Sequence, residues 1–279
     1  MSMCRLFGAI SVNPLCVTKY LLDDPYSLYV QSKIDPSRLQ SDGWGIGFYI
    51  NGFLKVIKSE KPLYEDYERF KLTVSSIKSN IVIAHVRRAS NPRGLPREKL
   101  ISIENSQPFY YGNHLFAHNG TITIPDDVAQ LLGDWRLKIR GLNDSEVYFW
   151  YIIKEISEGK NLLEALKNFH DTLSRIWFEK RDKYPSISRP YIGLNMIFSD
   201  GEKLYAYCKY DEVLDGKAKS LCYRDQPAMQ MTYILDGKRL IVASERTNSE
   251  ENWQPLRSGQ LIIGQIVNGG IKIHVENVE

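Results

Sequence analysis

Cysteine is scarce in this chain of 279 residues, with four in all: Cys4, Cys16, Cys208 and Cys222. No two stand in a C-x-x-C pair, and so few in so long a chain do not make a disulfide framework. A structural zinc site is therefore not expected, and a reduced, cytoplasmic protein without metal or cofactor is. Long apolar runs are missing too, since nothing approaches the ~18 residues a membrane span needs. The start, MSMCRLFGAISVNPLC, carries one Arg and a short apolar stretch and ends in Asn13-Pro14-Leu15-Cys16. It has no small-residue cleavage site, so it reads as a first strand and not as a signal peptide.

An excess of one charge is also lacking: 36 Lys plus Arg against 33 Asp plus Glu leaves +3. The basic residues are dispersed, and the nearest thing to a cluster is Arg87–Arg88 with Arg93 and Arg97. Nucleic acid is accordingly not an expected partner. With 19 Gly and 12 Pro the chain is not collagenous, and with 17 Tyr, 10 Phe and 5 Trp it is not disordered.

What is present is an ordinary globular mix, 43% hydrophobic and 25% charged. The first third alternates short apolar runs with turns. A strand is expected over Arg5–Val12, then a hairpin of Trp44–Ile50 and Phe53–Lys58 about Asn51-Gly52. A helix over Leu63–Lys78 and a buried strand over Asn80–Arg87 should follow. Ala89 to Pro108, with three prolines, should be loop, and a strand near His114–His118 runs into Asn119-Gly120. Two helices fill the middle, one starting near Asp144 and apolar on most faces, the other from about Leu162 to Lys183. Strands return at Tyr191–Phe198, Leu204–Tyr210, Met231–Leu235, Leu240–Ser244, Leu261–Val267 and Ile271–Val275. Strands, two long helices and more strands joined by hairpin turns imply antiparallel sheets covered by helices, an α+β chain rather than βαβ units. No repeat or linker divides residues 1–279, so one domain is expected.

Four groupings carry chemistry. Cys4 stands just before an apolar strand; a chain beginning at Cys would hold a thiol and an α-amine of comparable pKa, the amine serving as base. The plain alternative is a small buried hydrophobe. Arg87 in His85-Val86-Arg87-Arg88-Ala89-Ser90 closes a buried strand, where a guanidinium can fork onto a carboxylate or form a surface ion pair. Asn119-Gly120 could turn a hairpin, or could offer an amide and a backbone N–H to an oxyanion. Asn143-Asp144 could cap a helix, or Asp144 could hold an ammonium group. A nucleophile, a carboxylate ligand, oxyanion donors and an ammonium ligand are together consistent with free glutamine.

These residues lie in a longer series: Met3-Cys4-Arg5-Leu6-Phe7-Gly8, Ser41-Asp42-Gly43-Trp44-Gly45-Ile46-Gly47-Phe48-Tyr49, the HVRRAS segment at 85–90, Glu104-Asn105-Ser106-Gln107-Pro108-Phe109, FAHNG at 116–120, Asp144-Ser145-Glu146, Ser199-Asp200-Gly201 and Ala243-Ser244-Glu245-Arg246. Eight pieces in this order, across almost the whole chain, resemble the class II glutamine amidotransferases of the N-terminal-nucleophile hydrolase superfamily, in particular its small stand-alone YafJ-type members. The resemblance implies a four-layer αββα sandwich of two antiparallel sheets. It implies Cys4 as the nucleophile forming a γ-glutamyl thioester, with its α-amine as base and then acid. It implies Asn119 and Gly120 as the oxyanion hole, Arg87 as the carboxylate ligand with Ser90 nearby, and Asp144 as the ammonium ligand. Such catalysis needs Cys4 first in the chain, hence Met3 as initiator or removal of Met1-Ser2-Met3.

The substrate implied is glutamine, or another γ-glutamyl small molecule if the protein is a γ-glutamyl hydrolase. No stretch is left for a fused synthase, so a separate acceptor subunit is one expected partner and a homo-oligomer another. Two alternatives of other kinds stay open: a papain-like Cys4–His118 pair, and a silent glutamine-sensing or regulatory subunit. His114, His118, His170 and His274 show no metal-binding spacing.

Overall fold

A period of two along β1 (Arg5–Leu15) sends its residues to two different cores. The computed structural model describes residues 4–278. After β1 come α1 (Leu28–Gln31), the hairpin β2 (Trp44–Ile50) and β3 (Phe53–Ser59), α2 (Tyr67–Ser76) and β4 (Ser79–Val86). The middle holds β5 (Phe109–Tyr111), β6 (His114–Ile122), α3 (Pro125–Gln130), α4 (Asp144–Ser157) and α5 (Leu162–Lys180). The last third is β7 (Tyr191–Ser199), β8 (Lys203–Tyr207), β9 (Met231–Leu235), β10 (Arg239–Ala243), β11 (Gln254–Leu256), β12 (Gln260–Val267) and β13 (Gly270–Asn277).

These strands form a seven-stranded sheet ordered β11-β9-β10-β1-β4-β2-β3 and a six-stranded sheet ordered β13-β12-β8-β7-β6-β5. The pairs within both sheets are antiparallel. Leu6 and Ile10 of β1 and Ile81 and Ile83 of β4 meet Leu115 and Ala117 of β6 and Ile197 of β7 between the sheets. Phe7, Ala9 and Ala84 face outward onto Leu28 of α1 and Phe70 and Val74 of α2. On the far side, Phe116, Met196 and Phe198 pack against α3, α4 and α5. The result is the four-layer αββα sandwich, held by three cores whose large side chains each contribute about 1.5–3 kcal/mol on burial.

Local chemistry explains most element ends. Asn51 (φ 51°) and Gly52 (φ 79°) form the two-residue turn between β2 and β3, where Ile50 pairs with Phe53. Asn143 caps α4 by accepting the Ser145 N–H at 3.0 Å, and Asn161 with Glu164 makes a capping box on α5. Nearly every residue of α4 from Asp144 to Ile153 is buried, as its all-round apolar sequence requires.

The differences from the sequence pattern are equally local. The helix expected over Leu63–Lys78 begins only at Tyr67, because Pro62–Asp66 is a turn whose Asp66 carboxylate accepts from Ser59 Oγ (2.6 Å) and Trp44 Nε1 (3.1 Å). The second long helix tightens to a 3₁₀ turn over Arg181–Lys183. β8 stops at Tyr207, and the Tyr210 N–H turns to Ser258 Oγ at 3.1 Å. The strand expected to end at His118 continues to Ile122, with Asn119 opposite Asn195 and Gly120 opposite Leu194. Asn119-Gly120 is therefore not a hairpin turn. Gly120 is there for close approach: a Cβ on it would sit 2.1 Å from the Gly193 carbonyl oxygen. Among the described residues no helix is long and apolar enough to cross a membrane.

Candidate active site

Strand register assembles the site. Arg5 of β1 and Trp44 of β2 both lie opposite Val86 of β4, so one residue further on Cys4 and Gly43 flank Arg87. The Arg87 N–H donates to the Gly43 carbonyl (2.8 Å) and the Asp42 N–H to the Arg87 carbonyl (3.1 Å). Three strand ends thus bring Cys4, Asp42 and Arg87 together. By the period of two, Cys4 continues the inward-facing row Leu6–Ile10 and Arg87 the row Ile81–Ile83.

Cys4 is only 7% exposed. Its Sγ accepts the Arg88 N–H at 3.4 Å and faces the Arg88 carbonyl at 3.3 Å. Burial pushes the thiol up to about 11, against the pull of the Arg88 backbone and the Arg87 guanidinium; Asp42 and Asp144 reinforce the rise. A thiol raised this far is mostly protonated near neutral pH, and a protonated thiol is a poor nucleophile without a base.

His118 is not that base. Its Nδ1 lies 2.8 Å from Ser145 Oγ on α4 and its Nε2 3.3 Å from the Gly193 carbonyl. Burial lowers its pKa to about 4. It belongs to the helix-facing side of β6 with Phe116, so the papain-like Cys4–His118 pair is not formed. His85 lies on the inward row before Arg87 and is held neutral by burial and by the Arg87 charge. All four cysteines are unpaired, and among the described residues no three His, Cys, Asp or Glu side chains gather as metal ligands.

Arg87 is buried and directs Nη1 at the carbonyls of Leu100 (2.6 Å) and Asp42 (3.4 Å). No carboxylate pairs with it among the described residues, which leaves guanidinium N–H groups for an incoming anion. Asp144, the first residue of α4, accepts from Ser90 Oγ at 2.6 Å and from the Ile122 N–H at 2.7 Å. Burial raises its pKa, opposed by those two bonds and by Arg87. Ser90, which the resemblance sets near Arg87, bonds Asp144.

Asn119 is fully buried, and both its amide nitrogen and oxygen lack a hydrogen-bond partner among the described residues. It continues the inward row Leu115–Ala117 on the sheet facing Cys4. An unpartnered buried amide costs about 1–3 kcal/mol, a cost that any donor or acceptor reaching it would offset.

Asp42 went unassigned in the sequence although its motif stood out. Its carboxylate accepts the Ala89 N–H at 2.6 Å and also binds Ser41 Oγ and Arg97, pinning the turn that carries Arg88 and Ser90. An Asp before a Gly at φ 113° was the available signal, but its partner lies 47 residues away. Gln107 is a second omission: its side chain accepts the His118 N–H (2.6 Å) and donates to the His118 carbonyl (3.2 Å), fixing the backbone just before Asn119.

A family model of class II glutamine amidotransferases matches residues 3–277. An uncharacterised protein of Methanocaldococcus jannaschii is 32% identical over 212 residues, 75% of this chain and 51% of that protein. A γ-glutamyl-hercynylcysteine sulfoxide hydrolase of Mycobacterium tuberculosis is 33% identical over 125 residues, 43% of this chain and 50% of that protein. The chain thus spans about half the length of these two relatives. A glutamine aminotransferase class-II domain protein of Silicibacter pomeroyi shares the fold, with a TM-score of 0.61 at 18% identity over 97% of this chain and 98% of that one. This chain belongs to the class II glutamine amidotransferases.

Proposed function

We propose that the protein cleaves the side-chain amide of glutamine through a γ-glutamyl thioester on Cys4. The observation that carries this is a buried Cys4 thiol at the strand ends that bring in Arg87 and Asp42, with His118 held away from it by Ser145 and the Gly193 carbonyl. Such a thiol needs a base that arrives with the nucleophile itself, and the Cys4 α-amine is that base once residues 1–3 are absent. Met1-Ser2-Met3 lies outside the described residues.

The α-amine takes the thiol proton as Sγ adds to the substrate carbonyl carbon. The negative oxygen that forms is met by the Asn119 amide N–H and the Gly120 backbone N–H. Collapse breaks the C–N bond, and the proton held on the α-ammonium leaves with ammonia. Water then attacks the thioester, its proton passing to the amine, and glutamate is released with the thiol restored. Arg87 holds the substrate α-carboxylate; Asp144, oriented by Ser90, holds its α-ammonium.

The M. tuberculosis relative, named for a γ-glutamyl hydrolase, supports a second reading, in which a γ-glutamyl small molecule replaces glutamine and another amine leaves. The chemistry at Cys4 is unchanged, and kcat/KM for glutamine against γ-glutamyl amides separates the two. If glutamine is the substrate, an ammonia-consuming synthase subunit is the natural partner.

The deciding experiment is intact mass before and after exposure to a glutamine-mimicking diazoketone. One adduct on Cys4 of a chain lacking residues 1–3 is the expected result. If a chain beginning at Cys4 takes no label and releases no glutamate, the enzymatic reading fails and a silent regulatory subunit remains.

A further inference from the structure

At the side of the sandwich where β3 and β5 are both edge strands, a cavity of about 510 Å³ opens beneath α4 and the 3₁₀ turn Gly133–Lys138. Its size lies in the ~300–1,000 Å³ range of small-molecule sites. None of its lining residues is Cys4, Arg87, Ser90, Asn119, Gly120 or Asp144. It shares α4 with the Cys4 site, but Glu146 lies about 200° around the helix from Asp144.

The lining joins three cations to an aromatic wall. Lys58, Lys138 and Arg140 all face the cavity, and none has an ion-pair partner among the described residues. Lys58 Nζ donates to the Ser106 carbonyl at 2.8 Å and lies 5.7 Å from the Phe109 ring centroid. Lys138 Nζ lies 5.8 Å from the Tyr111 ring centroid. Tyr111 stands edge-on to Trp150, ring centroids 5.5 Å apart, and remains 41% exposed.

Two carboxylates also line the cavity. Glu146 is turned into the protein, accepting the N–H groups of Arg140 (2.9 Å) and Gly141 (2.8 Å). Glu104 is held below the usual carboxylate range by its own backbone and Ser102. Three basic side chains against two carboxylates leave a net positive lining, on a wall where Tyr110 and Tyr111 are exposed and Trp150 is buried behind them.

We infer that this cavity is a second ligand site for a small aromatic anion, its ring against Tyr111 and Trp150 and its acidic group on Lys58, Lys138 and Arg140. Phosphate esters and carboxylates share this chemistry, since both accept charge-assisted bonds from Lys and Arg while the ring packs on aromatic faces.

Calorimetric titration of the full chain with phenyl phosphate, benzoate and inorganic phosphate tests the inference without any activity readout. One aromatic anion or both should bind saturably with one site per chain, and the tighter of the two names the acidic group. Inorganic phosphate should bind at least about tenfold more weakly. The Lys138→Ala/Arg140→Ala double variant removes two exposed side chains and should weaken binding by about tenfold or more at an unchanged melting temperature. Tyr111→Leu should weaken the aromatic anions but not inorganic phosphate. Absence of saturable binding into the millimolar range, equal affinity for inorganic phosphate, or full affinity in the double variant overturns it.

Discussion

Cys4 and Cys208 are both buried thiols next to strands, and they sit in opposite surroundings. Cys208 lies in the apolar core between the sheets, with Leu204, Ala206 and Met231, and burial pushes its thiol up to about 12. Cys4 is pushed up almost as far, to about 11, but at the end of the same layer, where Arg87, Asp42 and Asp144 surround it. Burial alone therefore does not tell the two thiols apart. The difference lies in which charged groups the strand ends bring in and how those groups are held.

The largest effect should come from exchanging the two thiols' fates. Cys4→Ala should abolish glutamate release, a loss of about 10³-fold or more, as expected when a covalent nucleophile is removed. Cys208→Ala should leave turnover near the parent value and lower stability by about 1 kcal/mol, seen as a lower melting temperature. Comparable activity in both variants would erase the distinction between the regions.

Next in size is Asn119→Ala, which removes the orphaned amide facing Cys4. A fall in kcat of about 10²–10³-fold with little change in KM is expected, because the amide is bonded only once the oxyanion forms. Asp144→Asn keeps an acceptor for Ser90 and Ile122 but removes the charge. It should raise KM for glutamine by about tenfold or more while circular dichroism stays the same. A variant that lowers kcat alone would move Asp144 out of the ground-state subsite.

The last comparison concerns the N-terminus, where only a slope is expected to change. In the chain carrying residues 1–3, iodoacetamide labelling of Cys4 should climb about tenfold per pH unit from pH 8 to 10. The sign follows from the raised pKa: below about 11 the thiolate fraction is small and grows in proportion to hydroxide. Starting the chain at Cys4 should flatten that slope if the free amine shares the proton. An unchanged slope in the shortened chain would leave the amine without influence on the thiol.

Much of the fold was legible in the residues. Apolar runs bounded by Asn-Gly and Asp-Gly turns located most of the strands, and Asn143-Asp144 marked the start of the first long helix. Three-residue β5 and β11 were not legible, since they are too short for a period to show and exist only because β6 and β9 lie beside them. Asn119-Gly120 read locally as a turn, and only pairing with β7 holds it extended.

In the site, the sequence itself set the reactive types: a thiol ahead of the first strand, an arginine at the end of a buried one, and an Asp at a helix start. These are local matters of side-chain chemistry, periodicity and capping, so a linear chain carries them. The tertiary structure alone decided that Cys4 lies against the Arg88 backbone 84 residues away, that Ser90 bonds Asp144, that Asp42 pins the intervening turn, and that His118 is spent on Ser145. Register between strands far apart in sequence sets those distances, and register is fixed by the packing of two sheets and their helices, which no single segment contains.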